Sequence, residues 1–434
     1  MSKGERSIGI GFLGCGTVGA SAARILVDHR ADLAQRAGAA LEVRRIAVRD
    51  SAKKRGIDLP ADVWTDDASA VTDAGDIEIV VEVIGGTDPA GVLVQRALRN
   101  GKHVVTANKE LLSTQGKELL EIADASDVDI LFEAAVGGGI PIIRPLKESL
   151  AGDRVRRVTG IVNGTTNFIL TRMSETGADF TDALDEATRL GYAEADPSAD
   201  INGSDAAAKL AILAAIAFNA RVVASDVHRE GMAGVTAADI QAAHDLGYEV
   251  KLVAIAEREG DDISVRVHPA MLPRTHPLAS VRDVFNAIFV ESEESGELMF
   301  FGRGAGGAPT GSAVVGDIVE IARNMALGGR SPAPDYYREL ARIRSQDETP
   351  VRYYAVLSVA DQPGVLSAVA GAFAAHDVSI SSVRQEGSGD EATLVVITHV
   401  ATEGQHRATF EELSGLDVVK EVASKMRVEG TSER

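Results

Sequence analysis

The chain has 434 residues, which at roughly 150 residues per domain makes room for about three domains and excludes a single small module. Hydrophobic residues at 45% and charged residues at 25% give a globular rather than a disordered composition. A net charge of −20 repels phosphate backbones and anionic lipid heads, so neither nucleic acid nor a membrane is expected as a partner, and the one cysteine, Cys15, excludes a disulfide framework and fits a reducing cytoplasm.

The opening run Ile8–Leu13 is broken by glycines and reads as a buried strand, not a signal peptide. Short apolar runs at Ser7–Leu13, Leu41–Val48, Ile77–Ile84, His103–Ala107 and Ile130–Val136 alternate with amphipathic stretches of helical length. That alternation predicts a parallel sheet flanked by helices, a Rossmann-type dinucleotide-binding α/β domain over residues 1–150. Residues 151–304 mix strands (Val155–Val162, Ile263–Val267, Ala287–Glu291) with an apolar helix beginning near Ser204 and read as a separate α+β domain. The stretch Leu210–Phe218 in that helix is far shorter than the ~20 residues a membrane span needs. His268 and His276 each precede a proline and read as residues that fix loops, and the isolated Trp64 reads as packing. A Gly-rich segment and helix at 305–330 return to the first domain, and 331–350 have linker composition. Residues 351–430 read strand (Arg352–Val359), helix (Gly364–Asp377), strands (Ser379–Glu386, Thr393–Val400), helix (about Gln405–Leu413) and strand (Val418–Val428), a ferredoxin-like βαββαβ unit.

Gly14-Cys15-Gly16-Thr17-Val18-Gly19 follows the first strand and opens a helix, the context in which GxGxxG signals a bound pyrophosphate. Glycines permit the tight turn and the close approach, and the helix N-terminus supplies free N–H groups. After the second strand Arg49 precedes Asp50 and the basic cluster Lys53-Lys54-Arg55. Arg49, and with it Lys53, facing a 2′-phosphate favours NADPH, Asp50 leaves NAD open, and Lys53 to Arg55 taken singly read as solvated surface. Cys15 inside the loop reads as a small residue that fits there, though a thiol reagent at that position would block cofactor entry.

The stretch Gly191–Lys209 gathers Glu194, Asp196, Asp200, Asp205 and Lys209 into a Gly/Pro/Ser loop that feeds the apolar helix. With Ser204 as N-cap, Asp205 and Lys209 lie four residues apart on one face, Lys209 at the rim of an apolar helix. Desolvation favours a neutral amine there and the carboxylates favour the ammonium, which is how a proton donor is tuned; spacing alone equally allows a plain i,i+4 ion pair.

Ala187, Gly191-Tyr192, Glu194, Asp196-Pro197, Asp200, Gly203, Asp205 and Lys209 resemble the signature of the homoserine dehydrogenases. So do the GxGxxG start, Thr106-Ala107-Asn108-Lys109, Phe132–Pro141, Asn163-Gly164-Thr165-Thr166-Asn167, His268-Pro269, His276-Pro277-Leu278 and Gly302–Gly307, in the same order over residues 7 to about 325. The C-terminal unit, with Asp361-Gln362-Pro363-Gly364, resembles an ACT domain of the longer monofunctional bacterial members.

The resemblance implies reduction of L-aspartate 4-semialdehyde to L-homoserine with NAD(P)H, on the way to threonine, methionine and isoleucine. It implies Lys209 as proton donor, Lys109 beside nicotinamide and substrate, Glu194 on the substrate ammonium, and Asp200 and Asp205 as orienting groups. Thr106 and Gly306 would line the cofactor cleft. Glu133, with carbonyls of Val136, Gly138 and Ile140, would hold a monovalent cation, sodium. An amino-acid effector, L-threonine acting by feedback inhibition, would bind at Asp361 to Gly364, in a homodimer or homotetramer. A tail that only strengthens oligomer contacts is the alternative there; for the whole chain it is a catalytically silent dinucleotide-binding regulatory protein, against which the intact Glu194, Asp200, Asp205 and Lys209 speak.

Overall fold

A computed structural model of the chain describes residues 7–53, 55–331, 341–387 and 391–430. Lys54 of the basic cluster and residues 332–340 of the expected linker lie outside the described residues. Two compact units emerge. One takes the chain up to Gly164, Asp205–Val227 and Val284–Ala341; the other takes Thr165–Ser204, His228–Asp283 and the chain from Arg342 on. No helix among the described residues is long and apolar enough to cross a membrane.

In the first unit, strands β1 (Ser7–Leu13), β2 (Ala40–Ala47), β3 (Trp64–Thr65), β4 (Ile79–Glu82), β5 (His103–Thr106) and β6 (Ile130–Leu131) form a sheet ordered β3-β2-β1-β4-β5-β6. Every pair is parallel, Ser7 opposite Ala40 and Ile10 opposite Ile79. The strand order reverses beside β1, so the loop after β1 stands at the switch point where such sheets bind ligands. Ile8, Ile10, Phe12, Leu26, Ile46, Ile79 and Val105 fill the core with Val314, Ile318 and Ile321 of the returning helix Gly307–Leu327. That helix packs tightly on Thr17–Asp28: a Cβ at Gly311 would stand 2.9 Å from the Ala22 nitrogen. The unit also holds the antiparallel strands Val155–Ile161, Phe285–Ser292 and Gly296–Arg303. The segment expected as a strand over Ile130–Val136 leaves the sheet after Leu131, because Glu133–Ala135 form a 3-10 turn braced by the Glu133 carboxylate.

The second unit contains the antiparallel pair Tyr248–Glu259 and Asp262–Pro273. The first of these is absent from the sequence reading: Val250 to Ala256 are buried without interruption, so no period-two alternation marks the strand. The second is longer than Ile263–Val267 and includes His268, which is fully buried in the strand with Nδ1 3.0 Å from the Pro269 carbonyl oxygen, so it fixes a strand and not a loop. His276 does fix a loop; its Nδ1 accepts from the Leu278 N–H at 3.2 Å. The C-terminal module has strands Pro350–Ala360, Ile380–Glu386, Glu391–Thr398 and Val419–Val428 with helices Val365–Ala375 and Glu403–Ser414, in βαββαβ order. Its first strand lies between the last and the third, all antiparallel, and Val369, Phe373, Phe410 and Leu413 of the helices join the core over the sheet.

Candidate active site

Three glycines of the loop after β1 answer to three different demands. Gly14 has φ +98° and a Cβ there would lie 2.8 Å from the Val83 carbonyl oxygen; one at Gly19 would lie 2.8 Å from the Gly14 oxygen. Packing within the chain requires both. A Cβ at Gly16 would meet nothing within 4 Å. Gly16 is exposed, and no side chain caps the helix Thr17–Asp28 that starts beside it, so its first N–H groups face open space. What such a position fits is a pyrophosphate on the positive end of a helix. Thr17 is exposed and Val18 half-buried at this end. Gly306, φ +115°, opens the second Gly-rich turn, and a Cβ at the adjoining Gly307 would stand 2.7 Å from Ser21 Oγ, so the two glycine turns share one edge.

Arg49 is exposed beyond β2. Asp50 is engaged locally: one carboxylate oxygen accepts from the Ala52 and Lys53 N–H groups at 3.1 and 3.2 Å. Arg55, expected as solvated surface, instead donates to the Cys15 carbonyl at 3.2 Å and to the Asp50 carbonyl at 2.9 Å, and its guanidinium lies 5.3 Å over the Trp64 ring. Trp64 packs against the core of this unit, as expected, and is also half of a cation–π pair. Cys15 is buried, and burial raises its thiol pKa although Arg55 opposes this, so it stays a protonated, weak nucleophile. Thr106 is fully buried with its hydroxyl donated to Glu82 at 2.6 Å.

The helix Ser204–Phe218 is apolar nearly all round, with Leu210 to Ile216 buried, and this seats its one lysine. Ser204 is the first helical residue and not the N-cap; its N–H is received by Asn202 Oδ1 at 2.9 Å. One turn on, Lys209 Nζ donates to Asp205 Oδ2 at 2.6 Å and to the Val162 carbonyl at 2.7 Å. Lys109, the first residue of the helix Lys109–Ala125, brings its Nζ to 3.1 Å from Asp205 Oδ1, and Asn163 Nδ2 donates to Oδ2 at 2.8 Å. Asp205 is therefore a carboxylate between two ammonium groups. Burial pushes its pKa up, but Lys209, Lys109 and Asn163 outweigh burial and hold it down to about 2. Lys209 and Asp205 side chains are 11% and 10% exposed, so this is no surface ion pair. An ammonium has three N–H donors; among the described residues Asp205 and Val162 accept two of them.

Glu133 is buried and its carboxylate accepts from the N–H groups of Ile142, Ile143 and Arg144 at 2.7, 2.8 and 3.0 Å. It braces the loop carrying Val136, Gly138 and Ile140. Beneath it Asp317 accepts from the Glu133 N–H at 2.9 Å and from Arg144 at 2.6 Å; burial raises its carboxyl to about 7, Glu133 adding to this and Arg144 opposing it. No cluster of three acidic, His or Cys side chains suited to a metal occurs among the described residues. Glu194 is exposed and Asp200 half-buried on the turn Ser198–Ile201, both in the second unit. Asp361 and Gly364 lie on the exposed turn before the helix Val365–Ala375, where Gly364 has φ +93° and Asp361 accepts from Gln385 at 3.4 Å.

Three groups at this site escaped the sequence reading as individual residues. Asn163 is Asp205's partner from 42 residues away. Glu82, fully buried at the end of β4, binds Thr106 and accepts from the Ile84 and Gly85 N–H groups at 2.8 and 3.3 Å, so it ties two loops of the sheet edge together. Its sequence signal is an acid closing the apolar run Ile79-Val80-Val81. Arg55 is the third.

An open glycine turn at the reversal of a doubly wound sheet, with a carboxylate-held lysine in the same unit, defines a nicotinamide-dinucleotide oxidoreductase. Family models for the NAD-binding domain of homoserine dehydrogenase, for homoserine dehydrogenase and for the ACT domain match residues 14–133, 141–319 and 353–417. The homoserine dehydrogenase of Mycobacterium tuberculosis is 51% identical over 442 residues, covering 99% of this chain and all of that protein. Among solved structures, a homoserine dehydrogenase from Thiobacillus denitrificans is 39% identical with a TM-score of 0.93, covering 98% of this chain and 99% of that one. A hyperthermophilic archaeal homoserine dehydrogenase in complex with NADPH is 30% identical with a TM-score of 0.63, covering 76% and 99%. The chain belongs to the homoserine dehydrogenase family, with a C-terminal ACT domain.

Proposed function

We propose that the chain interconverts L-homoserine and L-aspartate 4-semialdehyde with NADP(H), NAD(H) being a second option, in cytoplasmic synthesis of threonine, methionine and isoleucine. The observation that carries this reading is the Lys209 ammonium, largely closed off from water against Asp205, with one of its three N–H groups unclaimed among the described residues. Gly14, Gly16, Thr17, Val18, Gly19 and Gly306 would hold the dinucleotide, which when bound would supply or accept the hydride. In the reduction, Lys209 passes a proton to the carbonyl oxygen as it becomes a hydroxyl. Asp205 and Asn163 fix the amine, and Lys109 adds a second positive charge beside the oxygen. A zwitterionic substrate needs an anion for its own amine, the role assigned to Glu194 and Asp200. Homoserine-dependent reduction of NADP+ by the intact chain tests the whole reading; a rate no higher than background defeats it.

Cofactor choice rests on Arg49. Support comes from the NADPH bound by the archaeal relative and from Asp50, whose carboxylate is occupied by its own loop. Arg49→Ala is expected to cut the ratio of NADPH to NADH efficiency about tenfold or more, the loss of one charged hydrogen bond, and an unchanged ratio removes the assignment. Sodium on the loop Val136–Ile140 would be held by the carbonyls of Val136, Gly138 and Ile140, Glu133 acting through the loop it braces. We assign residues 1–150 with 305–330 to the dinucleotide, 151–304 to substrate and dimer contacts, 331–350 to a linker and 351–430 to regulation by L-threonine at Asp361–Gly364. A homodimer or homotetramer is supported by the sheet-edge strand Gly296–Arg303, which presents Met299 and Phe301 to solvent.

A further inference from the structure

The C-terminal module and the turn carrying Asp200 belong to one compact unit, and specific contacts run between them. The strand Val419–Val428 pairs in parallel with Asp262–Pro273, Ala270 opposite Arg427, and the Glu429 N–H donates to the Met271 carbonyl at 3.0 Å. Arg427 is buried. Its Nη2 and Nε donate to the Glu403 carboxylate at 2.7 and 3.1 Å, while its Nη1 reaches Glu230 Oε2 at 2.5 Å. Glu403, on the helix Glu403–Ser414 and also bonded by the Tyr353 hydroxyl at 2.6 Å, already neutralises the guanidinium. Glu230 is 52% exposed, so its added bond contributes little to stability; what a planar fork adds is a fixed position.

From Glu230 the path reaches the turn through backbone. The Glu230 N–H donates to the Val267 carbonyl at 2.8 Å, and the Met232 N–H donates to the Ile201 carbonyl at 3.0 Å. A Cβ at Gly231 would stand 2.7 Å from that same Ile201 oxygen, leaving no slack, and the Arg229 guanidinium bonds the Ser204 hydroxyl. Segment 229–232 thus backs the stretch Ser198–Ser204. At the other end of the path, the turn Asp361–Gly364 begins where the Ala360 N–H meets the Val418 carbonyl at 3.0 Å, at the head of the strand that ends in Arg427 and Val428.

We propose that Arg427 and Glu230 are positioning residues through which the C-terminal module sets the Asp200 turn, so that the module's state is read as substrate affinity rather than as the rate of the chemical step. This rests on the reading of Asp200 as a substrate contact. Glu230→Gln and Arg427→Lys in the full chain test it by steady-state kinetics with homoserine and NADP+ each varied in turn at a saturating level of the other. Both variants are expected to raise the KM for homoserine about five- to twentyfold with kcat within about twofold and the KM for NADP+ unchanged. The Glu230→Gln melting temperature stays within about 2 °C of wild type, because Glu230 is half exposed and the buried Arg427 keeps Glu403 as its counter-ion. An unchanged homoserine KM in Glu230→Gln, or a fall in kcat alone, overturns the proposal. L-Threonine is the effector probe: where it inhibits the wild type, Glu230→Gln shifts the half-inhibiting concentration at least fivefold, and an unshifted value overturns the coupling. A wild type that oxidises homoserine but ignores threonine removes the effector reading alone, and the KM still decides the positioning.

Discussion

Lys209→Ala is expected to lower kcat for homoserine oxidation by about 10²- to 10⁴-fold, the range that a positioned general acid–base group contributes. The fold should survive the change, since Asp205 keeps Lys109 at 3.1 Å and the Asn163 amide at 2.8 Å. NADP+ binding, followed by fluorescence quenching or calorimetry, should be intact, because the glycine turn is built from Gly14, Gly16 and Gly19 and owes nothing to this side chain. Lys209→Arg separates charge from proton transfer. A guanidinium preserves the positive charge beside Asp205 but cannot be deprotonated at working pH, so it cannot accept the hydroxyl proton that oxidation releases. It should therefore be as inactive as the alanine variant. Near-wild-type activity in Lys209→Arg would show that the amine acts only as a fixed charge, and near-wild-type activity in Lys209→Ala would remove it from the chemistry altogether.

The pair at the centre of that prediction was legible because it is local. Asp205 and Lys209 are four residues apart, and helical geometry alone puts them on one face. The glycine turn was legible for the same reason, its three glycines falling within six consecutive residues, although the group that demands Gly14 is the distant Val83 carbonyl. What completes the site is remote. Asn163 and the Val162 carbonyl reach the pair across 42 and 47 positions, and nothing in their local sequence says which helix will arrive there. Arg55 looked like solvated surface because it closes a run of basic residues; only the return of Trp64 on β3 gives its guanidinium a ring to lie on, with its Nε donating to the Cys15 carbonyl. Tyr248–Glu259 escaped for a different reason. A strand covered on both faces loses the alternation that marks half-buried strands, and Lys251, at 3% exposure, breaks the apolar run at a position burial would otherwise forbid. It is tolerated because its amine donates to Asn167 Oδ1 at 3.1 Å and to the Val281 carbonyl at 2.5 Å.

Asp205→Asn should be the second most damaging single change, through the two lysines it leaves behind. Lys209 is 11% exposed and Lys109 41%, and both point at one carboxylate. Without that anion the Lys209 ammonium, mostly closed off from water, loses its counter-charge while Lys109 keeps its solvent, so the substitution favours the neutral amine at position 209. For reduction of aspartate 4-semialdehyde, which needs the protonated amine, the alkaline limb of the kcat profile should move at least about one pH unit toward acid, with kcat at neutral pH down about 10²-fold. Stability reports the same group from the other side. The Asp205 carboxyl sits at about 2 when folded, below its ordinary value of 3.8. A depressed carboxylate stabilises the fold fully above its unfolded pKa, and that contribution drains away as pH falls through the folded one. Here the window runs from pH 4 down to 2 and involves roughly 2 kcal/mol. Urea melts at stepwise pH should show the wild type losing stability across this window, and Asp205→Asn should lack that portion of the loss. If the two proteins lose stability in parallel there, and the alkaline limb stays in place, Asp205 is not the anion that holds the lysines.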